Sequence, residues 1–160
     1  MNKKLIVYFS YTNNTKTIAE LIQKKLNCDI LRIETKVPYS NDYQTVVDDE
    51  QNSEASNHIP EIKDININLD EYDTIILGTP VWWYRPCPAI RAFLTKYDLS
   101  NKTIIPFATN AGWLGRTFKE IETLANKSTI KNEKNIVFES YSNNLKTNNQ
   151  EIESWIETLK

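Results

Sequence analysis

Short apolar runs separated by longer amphipathic segments dominate the pattern of the chain. Residues 5–9, 75–77, 104–108 and 136–138 form continuous apolar runs, and residues 30–33 form a weaker fifth run. Continuous rather than alternating apolar residues indicate strands that are buried on both faces, as in parallel sheets. The sequence therefore predicts the strands of a parallel sheet.

Between these runs the apolar side chains recur at helical spacing. Helical stripes that alternate with buried strands predict a βα series and hence an α/β domain, here a single domain over residues 1–160. The stripes are Ile18, Ala19, Ile22 and Leu26; Ile90, Phe93, Leu94 and Tyr97; Leu114, Phe118, Ile121 and Ala125; and Ile152, Trp155, Ile156 and Leu159.

Two segments fit this pattern poorly. Residues 34–72 are mostly polar, and Tyr43, Val46 and Val47 predict only the start of a short helix there. Pro106 lies inside an apparent interior strand, where proline removes one hydrogen bond of the ladder. We therefore expect a bulge at Pro106.

Composition narrows the class of protein. The chain has 19 basic and 21 acidic residues and a formal net charge of −2, which gives no reason to expect nucleic acid or a membrane surface as a partner. The first apolar run is too short for a signal-peptide core. Cys28 and Cys87 are the only cysteines, which favours reduced thiols and a cytoplasmic protein.

Candidate metal sites and catalytic groups are few. No cluster of His, Cys or carboxylate residues has metal-ligand spacing, and no nucleophile–base pair is visible. Cys87 precedes the third predicted helix, a setting that lowers a thiol pKa in some proteins. The interpretation as a structural thiol is favoured over a reactive one.

Three glycines, Gly78, Gly112 and Gly115, all follow predicted strands. Ligands of open α/β sheets bind beyond the carboxyl ends of the strands, and glycine lets the backbone approach a ligand closely. Each glycine alone is equally consistent with an ordinary turn. Their joint placement favours a ligand site at that edge.

The first strand–helix connection favours a phosphate. Its six side chains carry hydroxyl or amide groups at a helix N-terminus, where free N–H groups and the helix dipole attract anions. The segment is neither a dinucleotide fingerprint nor a Walker A loop, because it lacks glycine. A capped helix start with polar filler is the alternative. The residues are Ser10, Tyr11, Thr12, Asn13, Asn14 and Thr15.

The second connection carries three adjacent aromatic residues. We expect at least one of Trp82, Trp83 and Tyr84 to stack on a flat ligand, although a hydrophobic lid or a partner-binding patch is the alternative. Residues 79–88 contain three prolines and no glycine, so we expect a stiff loop that resists positive φ.

The third connection, residues 109–116, could present backbone groups to the polar edge of a ring system and add Trp113 to the rim. A glycine-containing turn that caps the following helix is the alternative.

Together these loops resemble the flavodoxins, in particular the group with a Pro-x-Trp-Trp loop after the third strand. The resemblance covers roughly residues 4 to 125, and the last strand and helix fit only by type. The matching segments are residues 8–15, Pro38-Tyr39 with Asp42-Tyr43, residues 72–83, and residues 104–107 on to Gly115.

The resemblance implies a three-layer sandwich around a five-stranded parallel sheet of order 2-1-3-4-5, with FMN as cofactor. Ser10, Thr12, Asn14 and Thr15 would hold the phosphate, residues 80–84 would cover one side of the isoalloxazine, and residues 109–115 would contact its other edge. The expected contacts are Ser10, Tyr11, Thr12, Asn13, Asn14, Thr15, Thr79, Pro80, Val81, Trp82, Trp83, Tyr84, Thr109, Asn110, Ala111, Gly112 and Gly115.

Three functions follow as hypotheses. The first is an FMN electron carrier that serves a redox partner protein or a small-molecule acceptor. The second is an FMN-dependent NAD(P)H oxidoreductase that acts on a quinone or similar acceptor. The third is a flavin-free signalling module, but a receiver domain needs acidic residues where this chain has Phe9-Ser10-Tyr11. The net charge of −2 departs from the strongly acidic electron-carrier flavodoxins.

Overall fold

The computed structural model describes residues 3–56 and 58–160, with side chains as far as Asn52 in the first range. None of the helices within these ranges is long and apolar enough to cross a bilayer. The strands are β1 (Lys4–Tyr8), β2 (Asp29–Arg32), β3 (Thr74–Trp82), β4 (Arg85–Pro86), β5 (Thr103–Asn110), β6 (Thr129–Ile130) and β7 (Lys134–Val137). The helices are α1 (Asn14–Leu26), α2 (Tyr43–Ser56), α3 (Pro88–Lys96), α4 (Thr117–Leu124) and α5 (Asn149–Glu157).

The strands form one sheet in the order β2-β1-β3-β5, with β6 and β7 both beside the outer side of β5. These pairs are all parallel, and only β4 pairs antiparallel, folding back on the end of β3. The predicted order 2-1-3-4-5 is confirmed when β6 and β7 are taken as two halves of the fifth position. The hairpin of β3 and β4 was not predicted.

Two apolar layers cover the two faces of the sheet. Neighbouring residues of each strand point to opposite faces, which is why the strands read as continuous apolar runs. The predicted three-layer arrangement is confirmed. One face places Leu5, Val7, Ile75, Leu77 and Ile104 against Ile90 and Phe93 of α3 and Ile121 of α4, and the other places Ile6, Tyr8, Ile76, Ile105 and Phe107 against Ile18 and Ile22 of α1 and Ile152 and Ile156 of α5.

Pro106 sits in β5 without the bulge expected there. The register with β3 continues through it, with Leu77 opposite Pro106. The O atom of Ile104 accepts a hydrogen bond from the N–H of Lys131 on the outer side, so alternate residues of β5, including Pro106, face outward. The strand position outside β5 is interrupted there, because residues 131–133, between β6 and β7, do not pair with β5 as a strand. The missing donor of Pro106 therefore faces a gap in the ladder.

The polar segment also holds more structure than expected. Helix α2 runs over 14 residues from Tyr43, and Asp42 accepts a hydrogen bond from the backbone N–H of Thr45 at its start. Val46 is the buried side chain of its first turns. The prediction of a helix near Tyr43 is confirmed, but its length was underestimated.

Gly78 lies inside β3 rather than in the loop after it. A Cβ atom at this position would lie 2.3 Å from Cζ of Phe107, the residue opposite it on β5. This contact favours a packing role for Gly78, and its contribution to a ligand site stays a prediction. Glycine is required here because the Phe107 ring occupies the space of a side chain.

We predict that Gly78→Ala lowers the free energy of unfolding by about 1–3 kcal/mol or more, because overpacking strains a close-packed core. Urea denaturation of the variant and of Gly78→Ala/Phe107→Leu measures this. The smaller leucine should recover part of the loss. Equal stability of Gly78→Ala and the parent would contradict the packing account.

Candidate functional site

Three loops leave the sheet at the same edge because of strand register. Tyr8 of β1 lies opposite Gly78 of β3, and Gly78 lies opposite Phe107 of β5. The loops that follow these strands therefore start side by side at what we call the carboxyl edge. The loop after β7 reaches the same edge, as its contacts with the first loop show.

The seventeen predicted site residues lie in these loops, at the strand ends that lead into them or, for Asn14 and Thr15, in the first turn of α1. They divide by exposure. The buried ones hold the loops in place, whereas the exposed ones are accessible to a ligand. Ser10, Thr15, Thr79 and Thr109 are buried; Tyr11, Asn14, Pro80, Val81, Trp82, Asn110 and Ala111 are partly buried; Thr12, Asn13, Trp83, Tyr84, Gly112 and Gly115 are exposed.

Hydroxyl groups anchor the first loop. The hydroxyls of Thr15 and Thr109 are 2.7 Å apart and share a buried hydrogen bond that joins the loop to the end of β5. Ser10 Oγ accepts from the N–H of Lys16 at 3.2 Å, and Arg32 donates to the carbonyl of Ser10 at 3.0 Å. Thr12 is left on the exposed side of the loop.

Helix α1 begins directly after the first loop. Asn13 precedes it in the left-handed region, at φ 74°, and its side chain makes no capping bond within the described part of the chain. The N–H groups of a helix's first turn lack intrahelical partners. Ser10 takes up the N–H of Lys16 in this turn. The N–H groups that precede it, beside exposed polar side chains, are suited to binding an anion.

Hydrogen bonds of Asn14 and Asn143 join this loop to the segment after β7. Asn14 Nδ2 donates to the carbonyl of Ser142 at 3.0 Å, and Asn143 Nδ2 donates to the carbonyl of Thr12 at 2.8 Å and to Asn14 Oδ1 at 2.6 Å. Both the Nδ2 and the Oδ1 of Asn14 therefore already bond to groups of the protein. Sequence reasoning missed Asn143, because no pattern connects residues this far apart in the chain.

The second loop is a tight hairpin turn. Trp82 pairs with Arg85, so Trp83 and Tyr84 form a two-residue connection, with φ of 55° and 65°. The expectation that this loop resists positive φ is wrong, since two adjacent residues with bulky side chains adopt it. Thr79 supports the base of the hairpin, because its Oγ1 accepts from the N–H of Cys87 at 3.0 Å.

The three adjacent aromatic residues do not share one environment. Trp82 packs into a cluster with Tyr39, Phe9 and Tyr11, at ring-centroid distances of 5.2, 5.9 and 6.2 Å. Trp83 and Tyr84 are 39% and 55% exposed, so they are the ones accessible to a ligand.

Asn110 shapes the third loop. Its Oδ1 accepts from the N–H groups of Gly112 and Trp113, at 2.8 and 3.1 Å. Trp113 is 61% exposed and forms, with Trp83 and Tyr84, what we call the aromatic rim.

The second and third loops are joined. A Cβ atom on Gly115 would lie 2.3 Å from Cβ of Tyr84, and Gly115 has a φ of 56°. The N–H of Arg116 donates to the carbonyl of Tyr84 at 2.9 Å. Gly115 therefore serves the contact between loops.

An ion pair joins β4 to α4. Arg85 Nε donates to both carboxylate oxygens of Glu120, at 3.0 and 2.7 Å, and Nη2 also donates to Oε1. Both side chains are mostly buried. Burial by itself raises the pKa of Glu120, but the hydrogen bonds and charge of Arg85 outweigh it and hold this pKa below its usual value.

Cys87 is a structural thiol, as favoured from the sequence. It is fully buried, and burial raises its pKa to about 11 although its hydrogen bond with Thr79 acts in the opposite direction. Cys28 is partly buried, and both cysteines are free. Among the side chains that the structure describes, no three from His, Cys, Asp and Glu are grouped to hold a metal ion.

Comparisons with known proteins agree with this geometry. A family model described as flavodoxin matches residues 3–159. Among curated proteins, none matches the chain.

Several solved structures share the fold along its length. A protein from Bacteroides uniformis described as a flavoprotein has 25% identity and a TM-score of 0.79, covering 98% of each chain. A similar Bacteroides eggerthii protein has 26% identity and a TM-score of 0.76, covering 99% of this chain and 98% of that one. A Lactobacillus acidophilus flavoprotein, solved in complex with FMN, has 22% identity and a TM-score of 0.76, covering 97% and 99%.

The two thiols should differ in reactivity. The thiolate is the reactive form, and a pKa of about 11 leaves about one Cys87 thiol in a thousand ionised at about pH 8, in a site closed to solvent. Mass spectrometry after iodoacetamide treatment should find Cys28 modified first in the native protein and Cys87 only after unfolding. Equal modification rates in the native protein would contradict the burial of Cys87.

Proposed function

Because the chain belongs to the flavodoxin family, we propose that it binds one FMN at the carboxyl edge of its sheet and serves as an electron carrier. One observation carries the proposal: the N-terminus of α1, where Asn13 makes no side-chain capping bond, lies among polar side chains and shares this edge with three exposed aromatic rings. A phosphate and a flat ring system are the two ends of FMN. The FMN complex of the Lactobacillus acidophilus relative supports this choice of ligand.

The phosphate belongs, in this proposal, with the first loop. The N–H groups at the start of α1 that precede Lys16 and the hydroxyl of Thr12 would donate to it, while Ser10 and Thr15 hold the loop in shape. Arg32 adds a positive charge beside the loop through its bond to the Ser10 carbonyl. Asn14 and Asn143 fix the outer side of the loop.

The isoalloxazine belongs with the second and third loops. Trp83 and Tyr84 are exposed at the tip of the hairpin, and exposed rings are available to stack on a flat ligand. The backbone of residues 109–115 would meet the ring's other edge. Trp82 packs inward and supports the hairpin rather than stacking on the ligand.

The cofactor supplies the redox chemistry when bound, and the protein binds and orients it. This division of labour agrees with a site built from hydroxyl, amide, backbone and aromatic groups. We propose that the chain exchanges electrons with a redox protein or a small-molecule acceptor at the aromatic rim. The two free thiols favour the cytoplasm as its location.

Absorption spectroscopy under anaerobic conditions tests this function. The protein, reconstituted with FMN if necessary, should be yellow with one FMN per chain. It should bleach on addition of dithionite and keep its colour with NADPH alone, since a carrier receives electrons from a partner. A protein that takes up no FMN would refute the proposal, and rapid bleaching by NADPH would identify an oxidoreductase instead.

Binding measurements with FMN and riboflavin test where the phosphate lies. Hydrogen bonds to charged groups contribute about 1.5–3 kcal/mol, so Thr12→Ala should weaken FMN binding about tenfold or more. Riboflavin, which lacks the phosphate, should bind the variant and the parent alike. Thr123→Ala, an exposed threonine on α4, is the matched control. Equal losses for both ligands would place the phosphate elsewhere.

A further inference from the structure

The turn between β3 and β4 has an unusual sequence for its backbone. A two-residue hairpin loop with positive φ at both positions is the type I′ geometry, which favours Asn-Gly because these residues tolerate the left-handed region. Here the two positions are Trp83 and Tyr84, at φ 55° and 65°. A Cβ atom makes this region unfavourable, so both residues hold strain.

Contacts from the start of α4 hold the strained turn in place. Arg85, the residue next to the turn, is fixed to Glu120 through both carboxylate oxygens. The N–H of Arg116 donates to the carbonyl of Tyr84. Gly115 lets the backbone of the third loop approach Tyr84 more closely than any side chain would allow.

A strained backbone conformation in a loop persists only when contacts with the surrounding structure hold it in place. The Arg85–Glu120 pair connects the hairpin to α4, and both members are 16% exposed. A planar, forked guanidinium–carboxylate contact fixes orientation as well as distance. It therefore restrains the turn more strictly than apolar packing would.

We propose that Arg85 and Glu120 are positioning residues, which hold the Trp83–Tyr84 turn in its strained conformation so that its rings are set for the flavin before it binds. This inference rests on the proposed function for its ligand. The claim that the ion pair holds the turn in its strained conformation applies to the protein without FMN and does not depend on that function. Without the pair the turn should relax, and binding FMN would then require it to be ordered again.

A comparison of Glu120→Gln in three backgrounds tests the proposal. Tyr84→Ala removes the ring of Tyr84 but keeps a Cβ atom and hence the strain, whereas Tyr84→Gly removes both. Glu120→Gln should raise the Kd for FMN about fivefold in the parent and in Tyr84→Ala, and by a smaller factor, about twofold, in Tyr84→Gly, where only the strain at Trp83 is left to hold. Flavin fluorescence should rise in Glu120→Gln, because the rings are no longer fixed against the cofactor.

Glu151→Gln is the matched control. It breaks another ion pair, between Lys134 and the exposed Glu151 of α5, and should leave the Kd for FMN unchanged. If Glu120→Gln fails to fold, Arg85→Lys keeps the charge while losing the forked contact and should show the same pattern. An unchanged Kd, or the same loss in Tyr84→Ala and Tyr84→Gly, would overturn the proposal.

Failure of the proposed function is distinguishable from failure of this inference. If the parent protein binds no FMN, the function is refuted, and amide hydrogen exchange of the free protein then tests the restraint. The N–H of Arg116, which is bonded to Tyr84, should exchange faster in Glu120→Gln while that of Ile104 in β5 does not change. Unchanged exchange at Arg116 would overturn the inference.

Discussion

Parallel pairing among β1, β3 and β5 determines where every part of the candidate site can lie. The register places Tyr8, Gly78 and Phe107 side by side, so the loops that follow begin at one edge. Gly78 makes this pairing possible, because the Phe107 ring fills the space that its side chain would need. A slip in this register would separate the phosphate loop from the aromatic rim.

The two ends of the site are built on different physical terms. The first loop is held mainly by neutral hydrogen bonds, between Thr15 and Thr109 and between Asn143 and Asn14, and by the bond from Arg32 to the Ser10 carbonyl. The second loop is held by a mostly buried ion pair and keeps a strained turn with exposed rings. In the proposed site, the first loop would stabilise the negative charge of the phosphate, and the second loop would orient the aromatic rings against the flavin.

Apolar periodicity predicts the core elements well because burial on both faces leaves a strong pattern, as in Ile75 to Leu77. It does not predict β4 or β6, each of two residues, since such short strands depend on their neighbours. The positive φ of Trp83 and Tyr84 is invisible in sequence because tertiary contacts with Gly115 and Arg116 impose it. Exposed loop chemistry predicts the location of the site, but not which side chains face inward.

Hydrogen–deuterium exchange with and without FMN tests the central claim most directly, because it reports where the ligand binds. Protection should be confined to residues 10–16, 79–87, 109–116 and 139–146, the loops at the carboxyl edge. An open pocket of about 470 Å³ at the opposite edge, lined by Lys3, Lys4, Lys25, Lys160 and Asp29, is the competing place for a ligand. Protection there, with none in the four loops, would contradict the account.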